Sequence, residues 1–563
     1  MPSLTFPFSV VPRTLAKEFD DACSRLGSVK FAPALWERRL DVWNTDPRTR
    51  QLISNRLGWL QAIDFVTPLV PRLRAFAESV TLSGFTEIVL LGMGGSSLAP
   101  EVLRQVLCPP DRRPRFRILD SVDPDAVRAA MDRAHDTLFV LASKSGTTIE
   151  PNVMAEEAKR RVMSEGHANW ASRFIAITDP DTALHRRATA EGFRDVFVNP
   201  ADIGGRYSAL SLFGMVPAAL MGLDIERLLS GARAMEEACR GEQAVDNPGL
   251  ALGALMAAGT RSGRDKLTLW VAPRLQSFGL WVEQLVAEST GKHGKGVVPL
   301  TGEPADVRLG NDRVVVALSA GEHKAPGLDR LSNEDIPHAV LEMPDDAMLG
   351  AEFLRWEVAT ATAGWLLDIN PFDEPNVQQA KDATRVLLDH YLQQRQLPYP
   401  EPHGSSEGAR LTLTEPALAA LGGEPADSFL RLIQPTDYVA LLAYVPSDDP
   451  TWENALQAFR LAIAARSGTA TSVGYGPRYL HSTGQLHKGG APNGVFIIVT
   501  AEPKEDLAIP GEPYSFGVLE MAQAVGDFQS LDRTGRRALF VRFLQRDVEQ
   551  FRQLANRLAG AAL

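Results

Sequence analysis

The chain of 563 residues is 45% apolar and 23% charged, with a formal net charge of −11. That length predicts two or three domains of roughly 100–200 residues each. The acidic balance argues against a general nucleic-acid binder, and no stretch reaches the roughly 18 consecutive apolar residues of a membrane span.

Met1 to Phe6 lacks a basic region followed by a long apolar core, so no secretory signal is expected. Three cysteines, Cys23, Cys108 and Cys239, are widely spaced and odd in number, which fits packed thiols in a reducing cytoplasm. An anionic small substrate would have to find local positive charge.

Residues 1–80 read as a helical lead-in, with Ile53, Leu57, Leu60 and Ile63 near helical spacing and Pro68 and Pro71 breaking the pattern. Strand-like runs then alternate with helix-like ones at Glu87 to Leu91, Phe116 to Asp120, Leu138 to Ala142, Phe174 to Thr178 and Val196 to Val198. That rhythm predicts a parallel sheet covered on both faces, in a first domain over 81–258 that closes with a long helical stretch from Leu210 to Ala258.

A second series, Leu267 to Val271, Val297 to Leu300 and Val314 to Leu318, followed by helices at Glu352 to Leu367 and Val377 to Gln394, predicts a second domain over 259–396. The Pro-, Gly- and Ser-rich run 397–412 reads as a linker. Beyond it, residues 413–563 predict an α/β extension with strands at Tyr438 to Tyr444, Val495 to Thr500 and Leu539 to Phe543, and helices at Trp452 to Ala465 and Val548 to Leu558. The fold class expected is therefore α/β, with two tandem doubly wound parallel-sheet domains and a C-terminal α/β region.

Two small-residue loops each follow a strand-like run and open a helix-like one. In Gly92-Met93-Gly94-Gly95-Ser96-Ser97 the third glycine follows directly on the second, so the dinucleotide pattern fails, although Asp120 could otherwise hold a ribose hydroxyl. Ser143-Lys144-Ser145-Gly146-Thr147-Thr148 is more telling. Four hydroxyls and a glycine before the helix start at Glu150-Pro151 offer several donors to an anion without bulk that would exclude a sugar.

In Asp202-Ile203-Gly204-Gly205-Arg206-Tyr207-Ser208, a guanidinium after a flexible turn could stabilise charge forming on a substrate oxygen. Gln284 and Glu288, four apart, share a helical face, and a half-buried carboxylate there can serve as a general base with its pKa raised by desolvation. No closely spaced His/Cys cluster of ligand type occurs, so no metal and no cofactor are expected.

Taken in order, Gly92 to Pro100, Ser143 to Thr148, Gly204 to Ser208 and Gln284 to Lys292 resemble the phosphoglucose isomerase family, built from two sugar-isomerase domains. The run Ile369 to Lys381 is similar to the family segment ending in its active-site lysine, which implies that role for Lys381; Gln378 replaces the acidic residue usual after the valine. The family also uses a ring-opening histidine, and His481-Ser482-Thr483-Gly484-Gln485 is similar to the His-Ser-x-Gly-Gln run of bacterial members. That run lies after Lys381, whereas the family norm is between the glutamate and the lysine, and His487 and Lys488 are competitors for the role. The displaced histidine and the C-terminal region most resemble the isomerase half of bacterial transaldolase/phosphoglucose isomerase fusions, with the transaldolase half expected to be absent.

The resemblance implies reversible, metal-independent isomerisation of glucose 6-phosphate and fructose 6-phosphate through a cis-enediol(ate). Ser96, Ser143, Lys144, Ser145, Thr148 and Gly205 would bind the sugar phosphate, with Gln284 positioning substrate or water. Glu288 would move the proton, Arg206 would stabilise the enediolate, and His481 with Lys381 would open the ring. It also implies a cytoplasmic homodimer, with no nucleic-acid or membrane partner. The alternatives are a non-catalytic phosphosugar-binding regulator and an isomerase of another hexose phosphate such as mannose 6-phosphate; a nucleotide-dependent oxidoreductase would need NAD binding that the failed fingerprint does not support.

Overall fold

The computed structural model describes residues 6–43 and 46–561, so most of the Met1 to Phe6 stretch lies outside the described residues. Three sheets organise the chain. The first is wholly parallel, in the spatial order Arg115–Leu119, Glu87–Gly92, Thr137–Ala142, Phe174–Thr178, Asp195–Val198. Glu87–Gly92 and Thr137–Ala142 are buried at every position, as strands covered by helices on both faces must be. The chain runs outward from Glu87–Gly92 in one direction and then returns to start Thr137–Ala142 on its other side. Such a switch leaves a crevice at the C-terminal ends of the two central strands, and both small-residue loops begin there.

The second sheet runs in the order Phe8–Val11, His338–Met343, Arg313–Ala320, Lys266–Val271, Val298–Thr301, and only Phe8–Val11 is antiparallel to its neighbour. The lead-in is therefore not solely helical: its first described residues complete the edge of this sheet. His338–Met343, a strand that sequence reading misses, gives them their partner, with Phe8 opposite Leu341.

Helix Gln276–Thr290 carries the candidate base and is buried along nearly its whole length. Trp281 anchors it, 1% exposed and edge-on to Phe353 at 4.8 Å. Truncating such a side chain costs about 3–5 kcal/mol.

The third sheet is a full doubly wound unit in the order Gly404–Ser406, Ala409–Leu413, Arg537–Phe543, Gly494–Ala501, Tyr438–Tyr444, Ala470–Tyr475, with the last four strands parallel. The expected linker 397–412 is in part this sheet's hairpin edge: Ser406 pairs with Ala409 across Glu407 and Gly408, and both turn residues have positive φ. A two-residue loop of that kind matches strand twist. The prolines at 398, 400 and 402 mark a chain break, but Ala409, Leu411 and Leu413 alternate inward onto the core and hold the segment in the sheet.

Buried charge joins the units. Arg313 donates to Glu303 at 2.6 Å, Glu303 accepts the Thr471 amide at 2.9 Å, and Arg460 donates to the Thr301 carbonyl at 2.7 Å. Arg478 clasps Asp120 with two hydrogen bonds of 2.8 and 2.6 Å. Asp120 thus holds a guanidinium of the third unit, which leaves no place for the ribose role.

Candidate active site

Gly92 pairs with Ala142, so the loops 93–97 and 143–148 leave the first sheet side by side. Gly94 has φ of +54°, and a Cβ there would lie 2.7 Å from the His481 carbonyl and 2.8 Å from Gln284 Nε2. A Cβ on Gly95 would lie 2.0 Å from the Gly205 carbonyl oxygen. These glycines are required by close approach of three other segments of the chain, and the space a dinucleotide would need is filled by protein. Ser96 is buried, and its hydroxyl makes no hydrogen bond among the described residues.

In the second loop, Ser143 is buried; its Oγ donates to Thr148 Oγ1 at 3.3 Å and accepts the Gly146 amide at 3.1 Å. Ser145 and Thr147 are exposed, their hydroxyls 3.0 Å apart. Thr148 precedes helix Ile149–Ser164 without a side-chain cap, so the positive end of that helix meets the loop uncapped. Lys144 is committed elsewhere. Its ammonium pairs with Asp179 and donates to the Ala201 carbonyl at 3.0 Å, while burial, opposed by Lys144, raises the Asp179 carboxyl to about 6. Lys144 therefore braces the loop.

Arg206, 4% exposed, makes four hydrogen bonds to protein. Nε donates to Ser289 Oγ at 2.8 Å, one terminal nitrogen to the Pro371 and Asp373 carbonyls at 2.9 and 2.8 Å, and the other to Glu374 at 3.0 Å. That last nitrogen also lies 3.2 Å from Glu288 Oε1. The Glu288 carboxyl is raised by burial and by Glu374, against the pull of Arg206, Lys292 and His481. Burial also opposes ionisation of Glu374, but the charge and hydrogen bond of Arg206 outweigh it and hold that carboxyl low. Of the two acids facing one guanidinium, Glu288 is thus the stronger base.

Gln284 links this pair to the third unit. Its Nε2 donates to the His481 carbonyl at 2.7 Å and reaches Glu288 Oε2 at 3.4 Å. The His481 ring turns the other way, with Nε2 at 2.8 Å from Glu150 Oε1, an oxygen that also accepts from Gln523 at 2.7 Å. Burial works against charge on Glu150, yet His481 and Gln523 together leave its carboxyl below the ordinary range. The competitor His487 is a core residue 5.0 Å from the Phe496 ring centroid, its Nδ1 is unpartnered, and burial pushes it well below the ordinary histidine value. Lys488 is buried on Asp527.

Lys381 stands apart. It is exposed on helix Pro375–Gln394 and makes no hydrogen bond or ion pair among the described residues. Near it, Gln378 donates to Asp382 at 2.9 Å in place of the acidic residue the family pattern has there. The lysine that the structure brings to the Arg206 cluster is Lys292, 1% exposed, with Nζ 2.6 Å from the Asn370 carbonyl and 2.8 Å from Asp373. Burial and the neighbouring Arg206 charge push it down to about 8.

Glu150, Lys292, Glu374 and Gln523 are absent from the sequence-based set. The first three lie inside or beside quoted motifs, but Gln523 sits in a helix with no motif at all. Among the described residues no group of three or more His, Cys, Asp or Glu could hold a metal ion, and no helix is long and apolar enough to cross a membrane.

Residues 67–310 match the family model for phosphoglucose isomerase. A glucose-6-phosphate isomerase of Prochlorococcus marinus (strain MIT 9313) is 31% identical over 349 residues, covering 54% of this chain and 63% of that protein. One of Synechococcus sp. (strain JA-2-3B'a(2-13)) is 29% identical over 412 residues, covering 63% of this chain and 76% of that protein. The chain thus spans less than two thirds of the length of the first of these relatives.

In fold, a hypothetical protein of Thermus thermophilus superposes with a TM-score of 0.56 at 24% identity, over 68% of this chain and 99% of that one. A glucose-6-phosphate isomerase from Chlamydia trachomatis does so with 0.55 at 18% identity, over 69% and 89%. The matched segment and these relatives make the chain similar to the phosphoglucose isomerase family, and the tandem α/β sheets fit that similarity.

Proposed function

We propose that this chain interconverts glucose 6-phosphate and fructose 6-phosphate by proton transfer through a cis-enediol(ate), without a metal. One observation carries the reading. Glu150, two residues beyond the hydroxyl loop, is joined by contacts through His481, Gln284 and Glu288 to Arg206, so the turn proposed to hold the anion and a buried base lie on one connected path.

In this reading Ser96, Ser143, Ser145 and Thr148 grip the 6-phosphate, with the uncapped helix start adding its dipole and Lys144 and Gly205 shaping the walls. Glu288 shuttles a proton between C1 and C2. Arg206, with four hydrogen bonds made to protein and one terminal nitrogen beside Glu288, acts on the enediolate by its charge and holds Glu288 in place. His481, oriented by Glu150, takes and returns the proton of the opening ring. Lys381, whose ammonium has no protein partner among the described residues, would assist His481 in ring opening, the role that the similarity of Ile369 to Lys381 to the family segment implies.

Because Gln284 ties the His481 backbone to Glu288 within one chain, the proposed reaction calls on no second subunit. A homodimer would carry two complete sites. The three free cysteines fit the proposed cytoplasmic setting.

A coupled assay of fructose 6-phosphate conversion tests the proposal. Turnover is expected. Phosphosugar binding without turnover would favour a regulator, and faster conversion of mannose 6-phosphate would move the assignment to another hexose phosphate.

A further inference from the structure

At the opposite end of the first sheet, where its strands begin, a cavity of about 440 Å³ is walled by Arg113, Arg115, Arg117 and Arg133, with only Glu87 and Asp132 as acids. Strand Arg115–Leu119 is the sheet's edge, and its period of two puts Arg115 and Arg117 on the same face. Four guanidiniums around one hollow are unusual in a chain whose formal charge is −11, because like charges so placed repel.

Little in the protein neutralises them. The Arg115 guanidinium makes no hydrogen bond or ion pair among the described residues. Arg113 donates only to the Arg112 carbonyl, at 2.9 Å. Arg117 reaches Glu87 at a long 3.4 Å and donates to the Ala129 carbonyl at 3.0 Å, and Arg133 reaches Asp136 at 3.3 Å. Phe85 on the same wall carries two further guanidiniums against its ring, Arg173 at 5.5 Å and Arg194 at 5.6 Å, and neither pairs with a carboxylate among the described residues. Each free guanidinium keeps a planar fork of donors that matches phosphoryl oxygens.

We infer that this arginine-lined cavity is a binding site for a small polyanion bearing phosphoryl groups, separate from the candidate active site. The cavity falls within the range of about 300–1,000 Å³ of small-ligand sites. The strand Glu87–Gly92, six residues long, separates it from the loop at 93–97 by roughly 20 Å. The site thus stands independently of the isomerase reading.

The test is titration of inorganic pyrophosphate into the full chain in three forms: unaltered, Arg113→Gln/Arg115→Gln, and Ser145→Ala/Thr147→Ala. Both arginines are exposed, and circular dichroism and thermal melting check that each variant folds. The arginine variant is expected to lose at least tenfold in affinity for one bound pyrophosphate, and the loop variant to keep that event. Equal binding by the arginine variant and the unaltered chain would overturn the inference. So would tighter binding of a single-stranded oligonucleotide than of pyrophosphate at the same arginines, which would make this a nucleic-acid surface.

Discussion

His481 and Glu150 are 331 residues apart in sequence and 2.8 Å apart in space. The histidine belongs to the third sheet unit, and the glutamate opens the helix behind the hydroxyl loop of the first. Their contact brings the C-terminal region into the site formed by the other two units. Since Gln284 reaches the same histidine's carbonyl from the second unit, all three sheets meet at one point.

Mixing should therefore rescue nothing. Chains carrying Glu288→Gln, combined with chains carrying His481→Asn, are each defective in their own complete site. The activity of the mixture is expected to equal the sum of the two alone; recovery well above that sum would mean that the residues cooperate between subunits.

Gln523 should act through Glu150. Its amide donates to the same carboxylate oxygen that meets His481, which helps keep Glu150 ionised despite full burial. Replacing it with Leu removes a hydrogen bond to a charged group, worth about 1.5–3 kcal/mol, so the Glu150 carboxyl rises. In a pH titration followed by carboxyl carbon NMR, the Glu150 resonance is expected to titrate about one pH unit or more higher in the Gln523→Leu chain. A lower rate with an unmoved Glu150 titration would mean that Gln523 merely packs.

The alkaline limb should belong to Lys292. Its folded value of about 8 lies below the unfolded value of roughly 10.4, so the folded chain releases this proton first. Between those values the unfolded chain binds more protons, and this group's contribution to stability rises with pH. Activity is expected to fall over the same window, as positive charge beside Asp373 and Arg206 is lost. Lys292→Arg, which stays charged, should carry the limb to higher pH in initial-rate measurements.

The joint between the second and third units is testable by stability. Glu303→Ala leaves the Arg313 guanidinium buried without its carboxylate and the Thr471 amide without its acceptor. Breaking a buried pair in this way costs about 3–5 kcal/mol. Urea unfolding should show that loss, whereas a change under about 1 kcal/mol would mean that the pair is screened by solvent.

The parallel strands were legible because central strands such as Thr137–Ala142 are apolar throughout and lie between turn residues. His338–Met343 carries a weak strand signal because it mixes His338 and Glu342 with apolar residues, and the Phe8–Val11 edge it pairs with is short. Motif spacing singles out Glu288, Arg206, Gln284 and the hydroxyl loop as candidates. It could not place Gln523, since a lone glutamine within an apolar helix has no pattern, nor reveal that Lys144 is spent on Asp179, 35 residues away. Both depend on contacts that only tertiary folding creates.

The base assignment is the centre of the account, and solvent exchange at the substrate's reacting carbon tests it most directly. In deuterated water, proton NMR of fructose 6-phosphate with the unaltered chain is expected to show deuterium entering the transferred position alongside glucose 6-phosphate formation. With Glu288→Gln, both should slow by about two to four orders of magnitude while phosphosugar binding persists. Exchange and turnover by that variant at the unaltered rate would contradict the role of Glu288 and, with it, the chemistry proposed for this site.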